Sequence, residues 1–478
     1  MQLFRTKSVE QTIAETGEEG RKLKRNLTWW DLSIMGVAVA VGAGIFSVGA
    51  QAAAFHAGPA VIISFLIAGI VCGAAVMCYA EFASMIPMAG SVISKYWGVY
   101  LNDFMRLMGW NANTNLTFGS FHIDIAPIII VAFFTTLLVF GTKIGARVDG
   151  AMTVLKIAIV FFVVIVGFFY VKASNFTPFI PPSQPASTVE GSSAVTGVMT
   201  QPLWQFATGM TPSVYGVPGI LSGAALVFFA FIGFDVVATA SEETKNPHKN
   251  VPLGIGVGML LIIVMYMLVA VVTTGMVSYA DLAKQDSPSL ATAFELVGAD
   301  WAAKIISFGI VLGLATVVMV LLLGLTRIVF AMSRDGLLPR GLSKTGKHGT
   351  PAALQIVVGA VVALVAAFFD IGVLSDMVNI GTLSAFTLVA ISIPIMRKKR
   401  PDLPRAFKMP GSPWIPILIA VANFWLMLNL SVLTWIRFVV WLVVGFAIYF
   451  GYGYWHARLG KGDLTETLSA ETDKAVNG

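Results

Sequence analysis

Charge is what this chain of 478 residues has least of. Asp, Glu, Lys and Arg make up 12% of it, against about 25% in a soluble domain. That excludes an ordinary soluble globular protein, and a disordered chain, which needs high charge and low hydrophobicity. The two cysteines, Cys72 and Cys78, exclude a disulfide scaffold. Six residues apart in one apolar segment, they point to different faces of a helix. The five histidines (His56, His122, His248, His348, His456) are scattered near loops, without the spacing of a metal site. No P-loop, HExxH or GxSxG pattern is present, so ATP-driven transport by this chain alone and hydrolysis in the membrane are not expected. The chain is read as a non-enzyme, with no cofactor and no metal. The first 26 residues are charged and hold no apolar core of a signal peptide; the N-terminus is expected to stay in the cytoplasm.

What is abundant is apolar. Hydrophobic residues make up 57% of the chain and the mean hydropathy is +0.82. At roughly 20 residues per span, that supplies eleven or twelve membrane helices. Eleven apolar segments stand out: 30–54, 60–84, 124–141, 148–171, 219–241, 253–278, 302–331, 353–369, 376–396, 413–433 and 435–455. Their runs are continuous, not alternating, which argues against a β-barrel. A backbone in lipid must satisfy its own hydrogen bonds, so each segment is expected to be helical. The expected class is an all-α integral membrane protein with about eleven recognisable spans. The Ser-, Pro-, Thr- and Gly-rich stretch 172–218 reads as an extracellular loop.

The net charge of +6 comes from Lys and Arg clustered between apolar runs, as the positive-inside rule distributes them. No nucleic acid is expected as a partner. With eleven spans and the N-terminus inside, 17 basic residues fall outside against 12 inside. One further crossing between Pro87 and Asp124 reverses this to 6 outside and 23 inside. The bias therefore asks for a crossing within 88–123. That stretch carries Lys95, Asp103, Arg106 and His122, and its hydrophobicity is poor for a span.

Two segments carry glycine-rich interruptions: GAGIF, Gly42 to Phe46, and FFAFIGFD, Phe228 to Asp235. Glycine weakens a helix by about 1 kcal/mol relative to alanine. Paired interruptions in two halves point to a midplane transporter site. An opened helix offers N–H groups to a carboxylate and carbonyls to an ammonium, which together describe an α-amino acid. The other reading is close helix packing through small residues.

Lys156 lies within VDGAMTVLKIAIVFFVVIVGFF. A lysine at a helix centre costs roughly 2.5–3.5 kcal/mol on insertion. Burial penalises its charged form, so it could gain and lose a proton during transport; alternatively it snorkels to the cytoplasmic interface. Asp235 follows the second interruption as a helix cap or pathway residue. Glu81, in CYAEFASMIP, is a gating or interface carboxylate, and Arg327 an anchor on the cytoplasmic side.

Taken in order, these pieces resemble the amino acid–polyamine–organocation superfamily, and more closely its bacterial permeases related to cationic amino-acid transporters. The matching residues are GAGIF, CYAEFASMIPMAGS (Cys78 to Ser91), Lys156, FFAFIGFD followed by SEETKNPHKNVP (Ser241 to Pro252), TRIVFAMSRDGLLPR (Thr326 to Arg340), NIGTLSAF (Asn379 to Phe386) and RKKRPDLPRAFKMP (Arg397 to Pro410). The likeness covers about residues 28–455.

The resemblance implies a leucine-transporter-like bundle of two inverted repeats, 28–171 and 219–396, with two more helices over 413–455. Residues 1–27 and 458–478 would be cytoplasmic. It implies a proton-coupled amino-acid permease of the plasma membrane that works by alternating access, with amino acid, protons and the lipid bilayer as its partners. Val41, Gly42, Ala43, Gly44 and Ile45 would hold the α-carboxylate. Phe229, Ala230, Phe231, Ile232 and Gly233 would hold the α-amino group and line the side-chain pocket. Lys156 would stand where a sodium ion sits in sodium-coupled relatives.

In one place the sequence departs from the family. Ala89 to Ser91 runs directly into Val92 to Phe104, which looks like the region beyond the third transmembrane helix, and about thirty residues are missing. The groove left there would be filled by lipid, by helix shifts or by a partner span. The alternative function is therefore a non-transporting or folding-impaired deletion form, or a subunit that needs a small helical partner.

Overall fold

A computed structural model of the chain describes residues 27–42, 44–80, 89–110, 114–118, 121–140, 143–188, 197–234, 237, 244–285, 288–334, 336–344, 351–399, 401 and 408–456. Within them lie twelve helices of twelve residues or more. These are α1 (Trp29–Ala40), α2 (Val61–Ala80), α3 (Ala89–Leu107), α4 (Ile125–Phe140), α5 (Lys143–Phe168) and α6 (Gly216–Val227). Then come α7 (Pro247–Met276), α8 (Asp300–Arg334), α9 (Ala352–Phe368), α10 (Ile371–Lys399), α11 (Trp414–Leu428) and α12 (Val432–Ile448). Among the described residues, strand is confined to two short antiparallel pairs. Asn115–Phe118 pairs with Phe121–Asp124, and Gln184–Pro185 with Ser213–Val214.

Among the described residues, five helical runs are long and apolar enough to cross a bilayer: Gly44–Cys78, His248–Met276, Asp300–Phe330, Ile371–Lys399 and Val432–His456. The first is turned at Gly58, where φ is +60°, so its outer piece and α2 are separate helices. Six shorter apolar helices complete the set. Because the flanks of such helices meet lipid, Phe133, Phe161, Leu260 and Leu418 are exposed.

The twelfth helix is α3, in the stretch that the charge distribution singled out. Its 19 residues span about 28 Å at 1.5 Å per residue, close to a hydrocarbon core of roughly 30 Å. Ile93, Tyr96, Trp97 and Tyr100 are buried. Their spacing puts them on one helical face, while the polar face is tied down elsewhere. Trp97 Nε1 donates to the Val311 carbonyl of α8 at 2.9 Å. Arg106 makes a bidentate pair with Glu295, both contacts at 2.8 Å.

The helix contacts come in matched pairs. Exchanging each of α1–α5 with the helix five places later carries α1–α7 onto α6–α2, α3–α9 onto α8–α4 and α5–α7 onto α10–α2. The pairs α2–α7, α3–α8 and α4–α9 map onto themselves. A two-fold relation between α1–α5 and α6–α10 would give this pattern. Helices α11 and α12 stand outside it, both packed on α10.

Candidate functional site

Helix α1 starts with a capping box. The Thr28 hydroxyl accepts from the Asp31 N–H, and the Asp31 carboxylate accepts from the Thr28 N–H at 2.8 Å, which satisfies donors that a helix start leaves bare. Its end has no such device. Val41 turns to extended backbone (φ −69°, ψ 94°), and winding resumes at Gly44 as a π-helical segment, Gly44–Val48. Helix α6 tightens into a 3₁₀ turn over Phe228–Phe231, then Ile232 becomes extended (φ −66°, ψ 138°). Gly233 follows at φ +101°, a conformation that a side chain strongly disfavours.

Both expected interruptions are therefore breaks in helices, and they touch. A Cβ on Gly44 would lie 2.2 Å from the Ala230 Cα, so only glycine lets the two backbones meet here. Between them is a cavity of about 350 Å³, its open side included, lined by Val39, Ala40, Gly42, Gly44, Ile93, Phe229, Ile232, Gly233, Val317 and Leu321. One wall is backbone released by the breaks; the other is aliphatic and aromatic. Among the described residues, no charged side chain lines it.

Of the residues singled out in the sequence, Gly42, Gly44, Phe229, Ile232 and Gly233 line the cavity. Val41, Ile45, Ala230 and Phe231 are buried beside it. Phe231 turns away, its ring 5.1 Å from that of Tyr266 and 6.3 Å from that of Phe65. Ala43, Glu81 and Asp235 lie outside the described residues. Arg327, on α8, is not part of the cavity lining.

Lys156 is 1% exposed and does not reach for the interface. Its Nζ donates to the Ala38 carbonyl in the last turn of α1 at 2.8 Å. Its stem lies against α8, where a Cβ on Gly313 would come 2.6 Å from the Lys156 Cγ. The lysine of α5 thus reaches α1 within three residues of the first break.

Sequence reasoning missed several residues. Val39, Ala40, Ile93, Val317 and Leu321 line the cavity, but nothing in an apolar run sets them apart from core. Tyr266 had a signal, as a lone hydroxyl in LIIVMYMLVA, residues 261–270. That hydroxyl lies 2.6 Å from the Ala40 carbonyl oxygen and 2.8 Å from that of Ala230, one on each broken helix. The Tyr100 hydroxyl donates to the Phe46 carbonyl, and the Tyr96 ring sits 6.1 Å from Phe229.

The family model for amino acid permeases matches residues 98–451. The chain is similar to the branched-chain amino acid permease BcaP of Bacillus subtilis (strain 168), 38% identical over 96% of this chain and 99% of that protein. It is also similar to the methylthioribose transporter of the same organism, 36% identical over 96% and 99% of the two chains. A vacuolar cationic amino acid transporter 4 from Arabidopsis thaliana is 31% identical over 84% of this chain and 68% of its own.

Proposed function

The chain belongs to the amino acid permease family, and from that premise we propose that it is a proton-coupled secondary transporter of neutral amino acids. It is a multi-pass membrane protein of a transporter family and not an enzyme. In the proposed reading it lies in the plasma membrane with its N-terminus in the cytoplasm. Residues 28–171 and 219–396 form its two repeats, a division that the matched helix contacts support.

The observation that carries the proposal is the meeting of two helix breaks at one cavity. A carboxylate would take N–H groups around Gly42–Ile45, beyond the end of α1, where hydrogen bonds and local dipoles favour an anion. An ammonium would take carbonyls that the breaks release. Ile93, Phe229, Ile232, Val317 and Leu321 supply an apolar wall for the side chain. Among the described lining residues a cationic side chain would find no carboxylate, and the apolar wall suits an aliphatic one.

Lys156 is the proposed coupling group. As an ammonium it ties α5 to the end of α1 through Ala38. Without its proton, the neutral amine is a weaker donor and the tie loosens. Proton binding then biases the balance between conformations, provided the proton's affinity differs between them. The experiment is uptake of labelled L-leucine into proteoliposomes under an imposed pH gradient. Gradient-driven accumulation that Lys156→Ala abolishes is the expected result. Accumulation that ignores the gradient, or survives in the mutant, would overturn proton coupling through this residue.

One observation favours the second reading, a deletion form. The alignment with the Bacillus subtilis permease runs over 497 positions against 478 residues in this chain, so that relative has residues without a counterpart here. A correctly folded protein that neither binds nor moves amino acids would support this reading.

A further inference from the structure

Between Asp376 and Asp463 the sequence has a single acidic residue, Asp402. The turn from α10 to α11 falls in that stretch and carries six basic residues: Arg397, Lys398, Lys399, Arg400, Arg405 and Lys408. The positive-inside rule accounts for the sign of such a turn, but not for how it is built. Arg397 is used on the turn itself, its Nη2 donating to the Met409 carbonyl at 2.8 Å. That bond holds the end of α10 within one arginine length of the chain that enters α11. It sets Lys398 and Lys399 on one side and Lys408 on the other, all three exposed. Among the described residues, none of these three lysines forms an ion pair. Like charges drawn together repel, and a shared anion offsets the repulsion.

The second observation is apolar. Trp414, at the start of α11, is 79% exposed, and it is followed by exposed Ile415, Ile417 and Leu418. In a multi-pass membrane protein such a helix face meets lipid, and a tryptophan at its end sits at headgroup level. The basic turn therefore lies at the membrane surface. An anion that also carries acyl chains suits both halves of this arrangement. We propose that the turn between α10 and α11 is a docking site for an anionic phospholipid. Lys398, Lys399 and Lys408 take its phosphate, and Trp414 packs against its glycerol region. The lipid joins α10, the last of the helices with matched contacts, to the outlying α11.

The test is native mass spectrometry of the full-length purified protein titrated with dioleoyl phosphatidylglycerol or dioleoyl phosphatidylcholine, which differ in headgroup charge. Wild type is expected to bind the first phosphatidylglycerol about tenfold more tightly than phosphatidylcholine, because each basic group near an anionic headgroup contributes several-fold. Lys398→Gln/Lys399→Gln/Lys408→Gln should bring the two lipids to within about twofold of each other. Lys245→Gln/Lys249→Gln/Lys344→Gln removes the same charge from other exposed positions and should keep the preference. Trp414→Ala should weaken both lipids and leave their ratio unchanged. An equal loss of preference in the two triple variants would reduce the effect to net charge and overturn the site. So would a preference that survives the changes at Lys398, Lys399 and Lys408. Displacement of phosphatidylglycerol by inorganic phosphate would overturn the lipid as occupant in favour of a free anion. Lipid binding is read without substrate, so a protein that moves no amino acid would leave these outcomes untouched.

Discussion

The Lys156 ammonium donates to the Ala38 carbonyl across 2.8 Å, joining the middle of α5 to the last turn of α1 just before that helix breaks. Room for the lysine stem is made by Gly313 on α8, whose added Cβ would stand 2.6 Å from the Lys156 Cγ. Gly313→Ala therefore has to displace a flexible side chain and not a backbone. The protein should fold with a normal yield. Proton-driven uptake should fall by about tenfold, since a shift of 1 Å in a positioned group can cost more than that. Side-by-side measurement of uptake and thermal melting checks this. Normal uptake in a folded Gly313→Ala protein would mean that the lysine position does not matter.

Gly44→Ala is a harsher change. The new methyl would meet the Ala230 Cα at 2.2 Å and its N at 2.9 Å, and backbone cannot rotate away. Overpacking of this kind costs typically about 1–3 kcal/mol. The expected result is a lower melting temperature in detergent together with loss of L-leucine binding, because the two breaks are pushed apart at the cavity. Retention of binding at wild-type affinity would show that the close approach is not required.

The sequence announces the two breaks because glycine and membrane helices conflict. Gly42, Gly44 and Gly233 are visible as interruptions without any coordinates, and each lies at a break. Lys156 is visible for a similar reason, as a charge in an apolar run is expensive. The apolar wall of the cavity is not visible. Ile93, Val317 and Leu321 have the same chemistry as the lipid-facing and core residues around them, and only the crossing of α3 with α8 sets them apart. Helix α3 itself was hard to read. Three charges hide a helix whose polar groups find partners in the folded protein: Lys95 donates to the Phe369 carbonyl and Arg106 pairs with Glu295.

Asn379, in the NIGTLSAF run of α10, is fully buried and donates to the Ala225 carbonyl of α6 at 3.1 Å. The bond reaches α6 shortly before its 3₁₀ turn, so it helps to set where the second break begins. Asn379→Leu removes the donor and adds an apolar group of similar size. The carbonyl of Ala225 retains its place in the helix, so the cost should be modest, about 1 kcal/mol for one lost hydrogen bond. Function should suffer more than stability. A melting shift of a few degrees with a several-fold fall in L-leucine uptake is expected; a fall in stability alone would assign Asn379 to packing.

The path of α3 can be decided by chemical labelling. The chain has two cysteines, Cys72 and Cys78, both buried and free, so reagents in water should leave the wild-type protein nearly unlabelled. Trp110, just beyond α3, is 62% exposed. Lys399 ends α10 within a run of four basic residues, Arg397 to Arg400, which the positive-inside rule assigns to the cytoplasm. If α3 crosses, the side beyond it is external, and the loop that leads to α4 starts outside. An impermeant thiol reagent added to intact cells should then label Trp110→Cys and leave Lys399→Cys untouched until the membrane is opened. Should α3 turn back on the side where it began, every later crossing would invert: Trp110→Cys would react only after permeabilisation, and Lys399→Cys already in intact cells. The basic loops beyond residue 124 would then have to be assigned against the charge rule. Because α3 carries Ile93 into the cavity and Tyr96 against Phe229, its orientation decides from which side of the membrane the proposed site is reached.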